Sequence, residues 1–238
     1  MVRTPVILRR GRSSAVESPF WISYADLMTA LMVLFLVVMS VALVAVTKTV
    51  SRAERQKAVR DQEIDRLMAH ITGVAAAFPG MRVDPQRHVV DFGDRARFDT
   101  NSHQLTREQA RALRAFVPTV LQIARDDLGR KWLKQIVVEG FADPRGTYLF
   151  NLNLSINRAQ RVLCVLLEPA AADERPLREE ELEQIRELFL VGGYSFNSAR
   201  ASLEESRRIE LRLEFLEVNE SRVPMTATQP GTFGACAI

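Results

Sequence analysis

Trp21-Ile22-Ser23-Tyr24-Ala25-Asp26 leads directly into the apolar run at residues 27–46. An α-helix rises about 1.5 Å per residue, so the roughly 25 residues at 22–46 cover a hydrocarbon core about 30 Å thick. Asp26 is the one charge in that stretch. A carboxylate at membrane depth costs at least about 2.5 kcal/mol, and such acids usually face a protein interior or a wet path and serve ion movement. A helix needed only as an anchor would carry Leu or Ala there. Steps of three and four from Asp26 reach Thr29, Ala30, Val33, Val37 and Ser40, a stripe of small or weakly polar side chains, while Leu31, Phe35 and Met39 fall on other faces. Small and hydroxylated residues favour close helix contact in lipid, so Asp26 is expected in a helix–helix seam. The other reading is an interfacial Asp that caps the helix, with Trp21 and Tyr24 at headgroup level.

The segment 21–32, with its Tyr24-Ala25-Asp26 and its Met28-Thr29-Ala30, resembles the start of the membrane helix of the MotB flagellar stator family. The resemblance implies that Asp26 carries protons or sodium across the membrane. It also implies that two such chains pair inside a ring of five MotA-like motor subunits.

With 238 residues, the chain has room for one ordinary domain, a membrane segment and linkers. A formal net charge of +3, with Lys and Arg dispersed, gives no support to nucleic-acid binding. Arg3, Arg9, Arg10 and Arg12 precede the span, and Lys48, Arg52, Arg55, Lys57 and Arg60 follow it. Positive-inside counting therefore leaves the orientation open. The span is too long for an ordinary signal peptide and lacks a small-residue cleavage site.

Residues 1–20 read as a polar cytoplasmic tail, 21–46 as the transmembrane helix and 47–80 as a helical linker. In that linker Ile64, Leu67, Ile71, Val74 and Phe78 recur at alternating steps of three and four. Such a seam pairs two copies of the helix or lays one helix on its own domain, and the first is the expectation. Pro79-Gly80 stops it. Residues 81–217 read as a compact mixed domain, with strands at 87–92, 136–141 and 208–215. Helices are expected at 106–124, opened by the capping box Thr106-Arg107-Glu108-Gln109, at 148–167 and at 178–190, where Gly192-Gly193 breaks the pattern. Strands separated by helices give an α/β sandwich with helices on one side of a sheet. Residues 218–238 read as a tail.

Gly140-Phe141-Ala142-Asp143, followed by Asn151-Leu152-Asn153-Leu154-Ser155-Ile156-Asn157-Arg158-Ala159, resembles the OmpA-like peptidoglycan-binding domain, and Ser206-Arg207-Arg208-Ile209-Glu210 resembles that domain's last strand start. The resemblance spans about residues 81–215. It implies that Asp143 and Arg158 hold the diaminopimelate of the cell-wall peptide. A carboxylate and a guanidinium suit its ammonium and carboxylate, and Arg grips a carboxylate with two parallel hydrogen bonds. Asn151 would meet peptide amides, Leu154 would floor the pocket and Phe150 would wall it. The family's His-Thr is Phe141-Ala142 here, and its Asn is Ser206, which puts the pocket's strength in doubt. The competing reading is a structural Asp143–Arg158 salt bridge. Peptidoglycan lies in the periplasm, so the resemblance puts the N-terminus in the cytoplasm and the domain outside the inner membrane.

Cys164 and Cys236 are the two cysteines, and in an oxidising compartment a disulfide between them would tie the tail to the domain; the alternative is a buried Cys164 and an idle Cys236. Zinc is a poor reading of two distant cysteines without a local His pair. No catalytic triad order, phosphate loop or paired acids emerges, so neither an enzyme nor a cofactor site is expected. The wording of residues 19–26, 131–141, 188–193 and 206–212 is more similar to the MotB-like subunits of Zorya anti-phage systems than to flagellar stators. That resemblance implies a motor subunit of phage defence. A flagellar stator and a passive wall anchor without ion flow are the alternatives.

Overall fold

A computed structural model describes residues 20–171, 174–222 and 233–238. The chain divides into two units, Met1–Arg55 and Gln56–Ile238. One α-helix, α1 (Phe20–Ala75), begins in the first and ends in the second. Its first half contains the membrane-crossing candidate, with an 18-residue window of mean hydropathy 2.8. The expected tail at 1–20 lies almost wholly outside the described residues.

The second unit is a mixed sheet with helices on it. After α1 come β1 (Arg82–Asp84), β2 (Val89–Asp91), α2 (Arg107–Arg125), α3 (Asp127–Trp132), β3 (Leu133–Gly140), α4 (Tyr148–Leu167), α5 (Glu179–Leu188), β4 (Phe189–Gly193), α6 (Leu203–Ser206) and β5 (Ile209–Phe215). The five strands lie in the order β1-β2-β5-β3-β4, with β3 and β4 parallel and the other neighbours antiparallel. Local chemistry explains the starts. Thr106 Oγ1 accepts from the Gln109 N–H at 3.2 Å while Gln109 returns Oε1 to the Thr106 N–H at 2.8 Å, so the expected capping box opens α2. Thr147 caps α4, which occupies the expected 148–167. Alternation then sorts the faces of β5. Ile209, Leu211 and Leu213 enter the core, whereas Glu210 and Arg212 sit on the other face in ion pairs with Arg208 and Glu139.

Two expectations change. The seam at 64–78 does not wait for a second copy: Ile64, Leu67 and Ile71 are buried in this chain's own core, and Val74 and Phe78 pack against it. Phe78 meets the Phe116 ring edge-to-face at 5.3 Å, and Phe116 meets Phe92 at 5.5 Å. Hydrogen bonds from Lys131 Nζ (2.5 Å) and Trp132 Nε1 (2.6 Å) to Glu63, and from Arg60 Nε to the Leu216 carbonyl (2.7 Å), fix the same helix face. A two-heptad apolar stripe gains more by completing a domain core than by forming a short dimeric seam. The second change is β4. Phe189–Gly193 continues from α5 as a strand beside β3, because the parallel ladder from Ile136↔Phe189 to Gly140↔Gly193 satisfies its backbone. The glycines read as a helix stop are also sheet positions.

Cys164 and Cys236 form a disulfide across 72 residues of sequence. Disulfides typically stabilise by about 2–4 kcal/mol. Cys236→Ser in the detergent-solubilised chain should lose about that much in urea unfolding. A reductant should lower wild type to the same level and leave the variant unmoved.

Candidate wall-binding and ion-carrying sites

In the membrane-crossing part of α1 three hydroxyls bond to their own helix. Thr29 Oγ1 donates to the Ala25 carbonyl and, at 3.2 Å, to that of Asp26. Ser40 donates to Leu36 (2.7 Å) and Thr47 to Leu43 (2.8 Å). Such back-bonding lets Ser and Thr sit in lipid without an unpaired donor. A carboxylate has no donor with which to do the same. Asp26 is exposed on the helix, and none of the described residues donates a hydrogen bond to its carboxylate. Trp21 and Tyr24, also exposed, flank it toward the N-terminal end.

The second site lies where β3 hands over to α4. Gly140 ends the strand, and a Cβ there would collide with the Ser155 carbonyl. A Cβ at Gly193 would likewise strike the Ile156 side chain. Both glycines let the α4 backbone lie directly on the strand ends. Ser155 Oγ, inside that contact, accepts from the Ser195 N–H at 3.0 Å and donates to the Leu152 carbonyl at 2.8 Å. The close approach sets Arg158 beneath the loop.

Asp143 and Arg158 are neighbours but not partners. Arg158 is fully buried, and each arm of its guanidinium donates to a backbone carbonyl: Nε to Ser102 (2.9 Å), Nη1 to Phe141 (2.8 Å) and Nη2 to Asp99 (3.0 Å). Its charge also lies 4.9 Å from the centre of the Phe98 ring. Burial, with help from nearby Arg207, pushes the Arg158 pKa down to about 10, still charged at neutral pH. The competing reading, a structural Asp143–Arg158 salt bridge, is not what forms, because three carbonyls on two loops have claimed the guanidinium.

Asp143 is claimed by other cations. Its Oδ1 accepts from the Arg145 N–H (3.1 Å) and Nε (3.2 Å), and its Oδ2 from Arg145 Nη2 (2.8 Å) and Arg207 Nη1 (3.2 Å). The Arg145 hydrogen bonds hold the carboxyl down at about 2, against the opposing effect of burial. Arg207 also donates to the Phe98 carbonyl at 2.9 Å, and Arg145 reaches Thr100 Oγ1 at 3.2 Å. Asn151, buried, donates from Nδ2 to the Arg145 carbonyl at 2.7 Å. Leu154 is nearly buried and Phe150 half-exposed. Phe141 and Ala142 are both buried. Phe141 stacks on Tyr194 at 5.4 Å and lies 4.0 Å from the Arg208 charge, so this departure from the family pattern feeds the core.

Sequence reasoning missed Arg145, Arg207 and Thr100. Arg145 carried a signal, since an Asp two residues before a Gly-containing turn commonly accepts from the backbone just ahead. Arg207 comes from 64 residues away, and only the fold delivers it.

Comparison with known proteins agrees with this anatomy. A model of the membrane MotB of the proton-channel complex MotA/MotB matches residues 9–55. The Zorya protein ZorB of Escherichia coli O139:H28 (strain E24377A / ETEC) is 45% identical over 219 residues, covering 90% of this chain and 88% of that one. The chain belongs to the ZorB family. A peptidoglycan-associated lipoprotein of Mesorhizobium japonicum (strain LMG 29417 / CECT 9101 / MAFF 303099) is 37% identical over 110 residues, 44% of this chain and 56% of that protein. Among solved structures, the cell wall anchor of the T6SS from Pseudomonas aeruginosa aligns with a TM-score of 0.38 at 23% identity, covering 63% of this chain and 97% of that one. The periplasmic domain of Helicobacter pylori MotB aligns with a TM-score of 0.39 at 15% identity, covering 59% and 83%. This ZorB-family chain is similar to MotB in its membrane helix.

The Asp143 cluster has a pH signature. A carboxyl pulled from 3.8 to about 2 by folding stabilises the fold above its unfolded value and loses that contribution as pH falls from about 4 to about 2. Asp143→Asn should therefore be less stable than wild type at pH 7 by on the order of 2 kcal/mol. Urea unfolding at successive pH values should show the gap closing as the medium approaches pH 2.

Proposed function

We propose that this chain is the wall-anchored stator subunit of an ion-driven motor in the bacterial inner membrane, acting in anti-phage defence. Asp26 is its ion carrier. The observation that carries this reading is the lone carboxylate, without a hydrogen-bond donor among the described residues, in a helix where Thr29, Ser40 and Thr47 satisfy their hydroxyls one turn back. A chain under no functional demand would not keep such a group in lipid. Kinship with a Zorya protein supports the defence context, and the family model's proton-channel description favours protons over sodium. The N-terminus then lies in the cytoplasm and the α/β domain in the periplasm, where a disulfide persists. The partners are a MotA-like subunit of the ZorA type, with five around a homodimer, and peptidoglycan.

Asp143, Phe150, Asn151, Leu154 and Arg158 are the wall-binding residues in this reading. Arg158 gathers the 98–102 loop and the end of β3 around Asp143, and Asn151 holds the turn that carries Arg145. A grip on the wall keeps the complex from rotating or drifting while ions pass.

Two substitutions separate the roles. Asp26→Asn should abolish ion flux and protection from phage while the chain accumulates and binds purified sacculi as before. Full protection by this variant would reduce the chain to a passive tether. Asp143→Ala should lower sacculus pull-down by about tenfold or more, in keeping with the loss of a charged hydrogen-bonding partner. Unchanged pull-down would remove the wall grip.

A further inference from the structure

The face of the sheet turned away from the core carries a row of acids. Alternation puts Asp91, Glu210 and Glu139 on that face, and register sets them side by side on β2, β5 and β3, with Arg82 of β1 opposite Asp91 at the end of the row. All three acids are buried. Like charges directly opposite one another on neighbouring strands are destabilising unless cations lie over them. Arginines do so here. Glu210 accepts from Arg208 Nε (2.7 Å), Arg200 Nη2 (2.8 Å) and Arg87 Nη2 (3.2 Å). Asp91 pairs with Arg200 Nη1 at 2.7 Å, and Glu139 accepts from Arg212 Nε (2.5 Å) and Nη2 (3.0 Å). The acids are out of reach, and solvent meets guanidinium instead: the Arg87 side chain is 46% exposed and that of Arg200 28%. Arg82 is exposed too, and none of the described residues pairs with its side chain.

Arg82, Arg87 and Arg200 line one cleft of about 430 Å³ at the β1–β2 edge of the sheet. We propose that this cleft is a second binding site, for a phosphate group, separate from the β3–α4 turn and independent of the wall-binding reading. The two carboxylates that also line it are already engaged. Asp84 Oδ1 accepts from the Gln86 and Arg87 N–H groups (3.1 and 3.0 Å), and Asp91 accepts from the Gly93 N–H (2.8 Å) and from Arg200. The donors are held in advance. Arg87 is tethered through one arm to Glu210, and Arg200 through two, with its backbone N–H on Ser206 Oγ at 2.9 Å. A ligand therefore finds Arg87 Nε and Nη1 and the whole Arg82 fork with little ordering left to do. The three guanidiniums come from β1, the β1–β2 turn and the loop before α6, so they meet an anion from different sides. That suits the tetrahedral oxygens of phosphate, whereas a planar carboxylate is served by a single fork. A soluble phosphate monoester or a phospholipid headgroup supplies the same chemistry.

The test is calorimetric titration of the full-length, detergent-solubilised chain, at constant ionic strength, with inorganic phosphate, glycerol phosphate, glycerophosphoglycerol and acetate. Wild type should bind a phosphate probe saturably and about tenfold or more tightly than acetate. Arg82→Ala, which removes no contact within the fold, should melt like wild type and bind phosphate about fivefold or more weakly, and Arg87→Ala should weaken it similarly. Arg130→Ala, at an exposed arginine outside the cleft, should bind like wild type. Tighter binding of inorganic phosphate or glycerol phosphate identifies a soluble phosphate as the ligand, and tighter binding of the diester glycerophosphoglycerol identifies a lipid headgroup. If no phosphate probe saturates, if acetate binds as well, if Arg82→Ala binds phosphate like wild type, or if Arg130→Ala weakens binding as much, the arginines are only counter-ions to the buried acids and the proposal falls. Sacculus pull-down by Arg82→Ala should equal wild type, so loss of this site and loss of the wall grip are read separately.

Discussion

The Arg158 guanidinium, buried and spread over three backbone carbonyls, is the contact on which the β3–α4 end of the domain depends. A buried charge is tolerated only when its donors are satisfied. Here satisfaction requires the 98–102 loop, the last residue before the Asp143 turn and α4 to converge on one point. That convergence shapes the rim on which Asp143 sits. It also explains why Asp143 takes its cations from elsewhere, from Arg145 two residues on and from Arg207 at the end of α6.

The same rule, that an ionised or polar group away from water needs a partner, governs the membrane helix with a different outcome. Thr29, Ser40 and Thr47 find acceptors one turn back and become neutral occupants of lipid. Asp26 finds none. At the β3–α4 turn the chain pairs Asp143 and holds it ionised; in the span none of the described residues pairs Asp26. The pairing at one site and its lack at the other are what the proposed static grip and moving ion would each require.

Much of this was legible in the sequence. The length and polarity of the span, the capping box at Thr106, the α4 limits and the alternation of β5 follow from local periodicity and capping, which need no distant partner. The spacing of Asp143 and Arg158 correctly marked one place in the fold. Apolar periodicity at 64–78 correctly marked a buried face but not what buries it, since a dimeric seam and a domain core ask the same of a helix. The fragment 189–193 read as a helix end because its strand character depends on β3 beside it.

The sequence by itself determined a single apolar span with one acid and an α/β domain with charged residues at the β3–α4 turn, because hydropathy, capping and alternation are properties of neighbouring residues. Only the tertiary structure decided who pairs with whom. It gave Arg158 to the backbone, Asp143 to Arg145 and Arg207, and the linker helix to its own core. Those choices rest on which buried donors and acceptors are brought within reach, and residues 64 positions apart meet only after the sheet has formed.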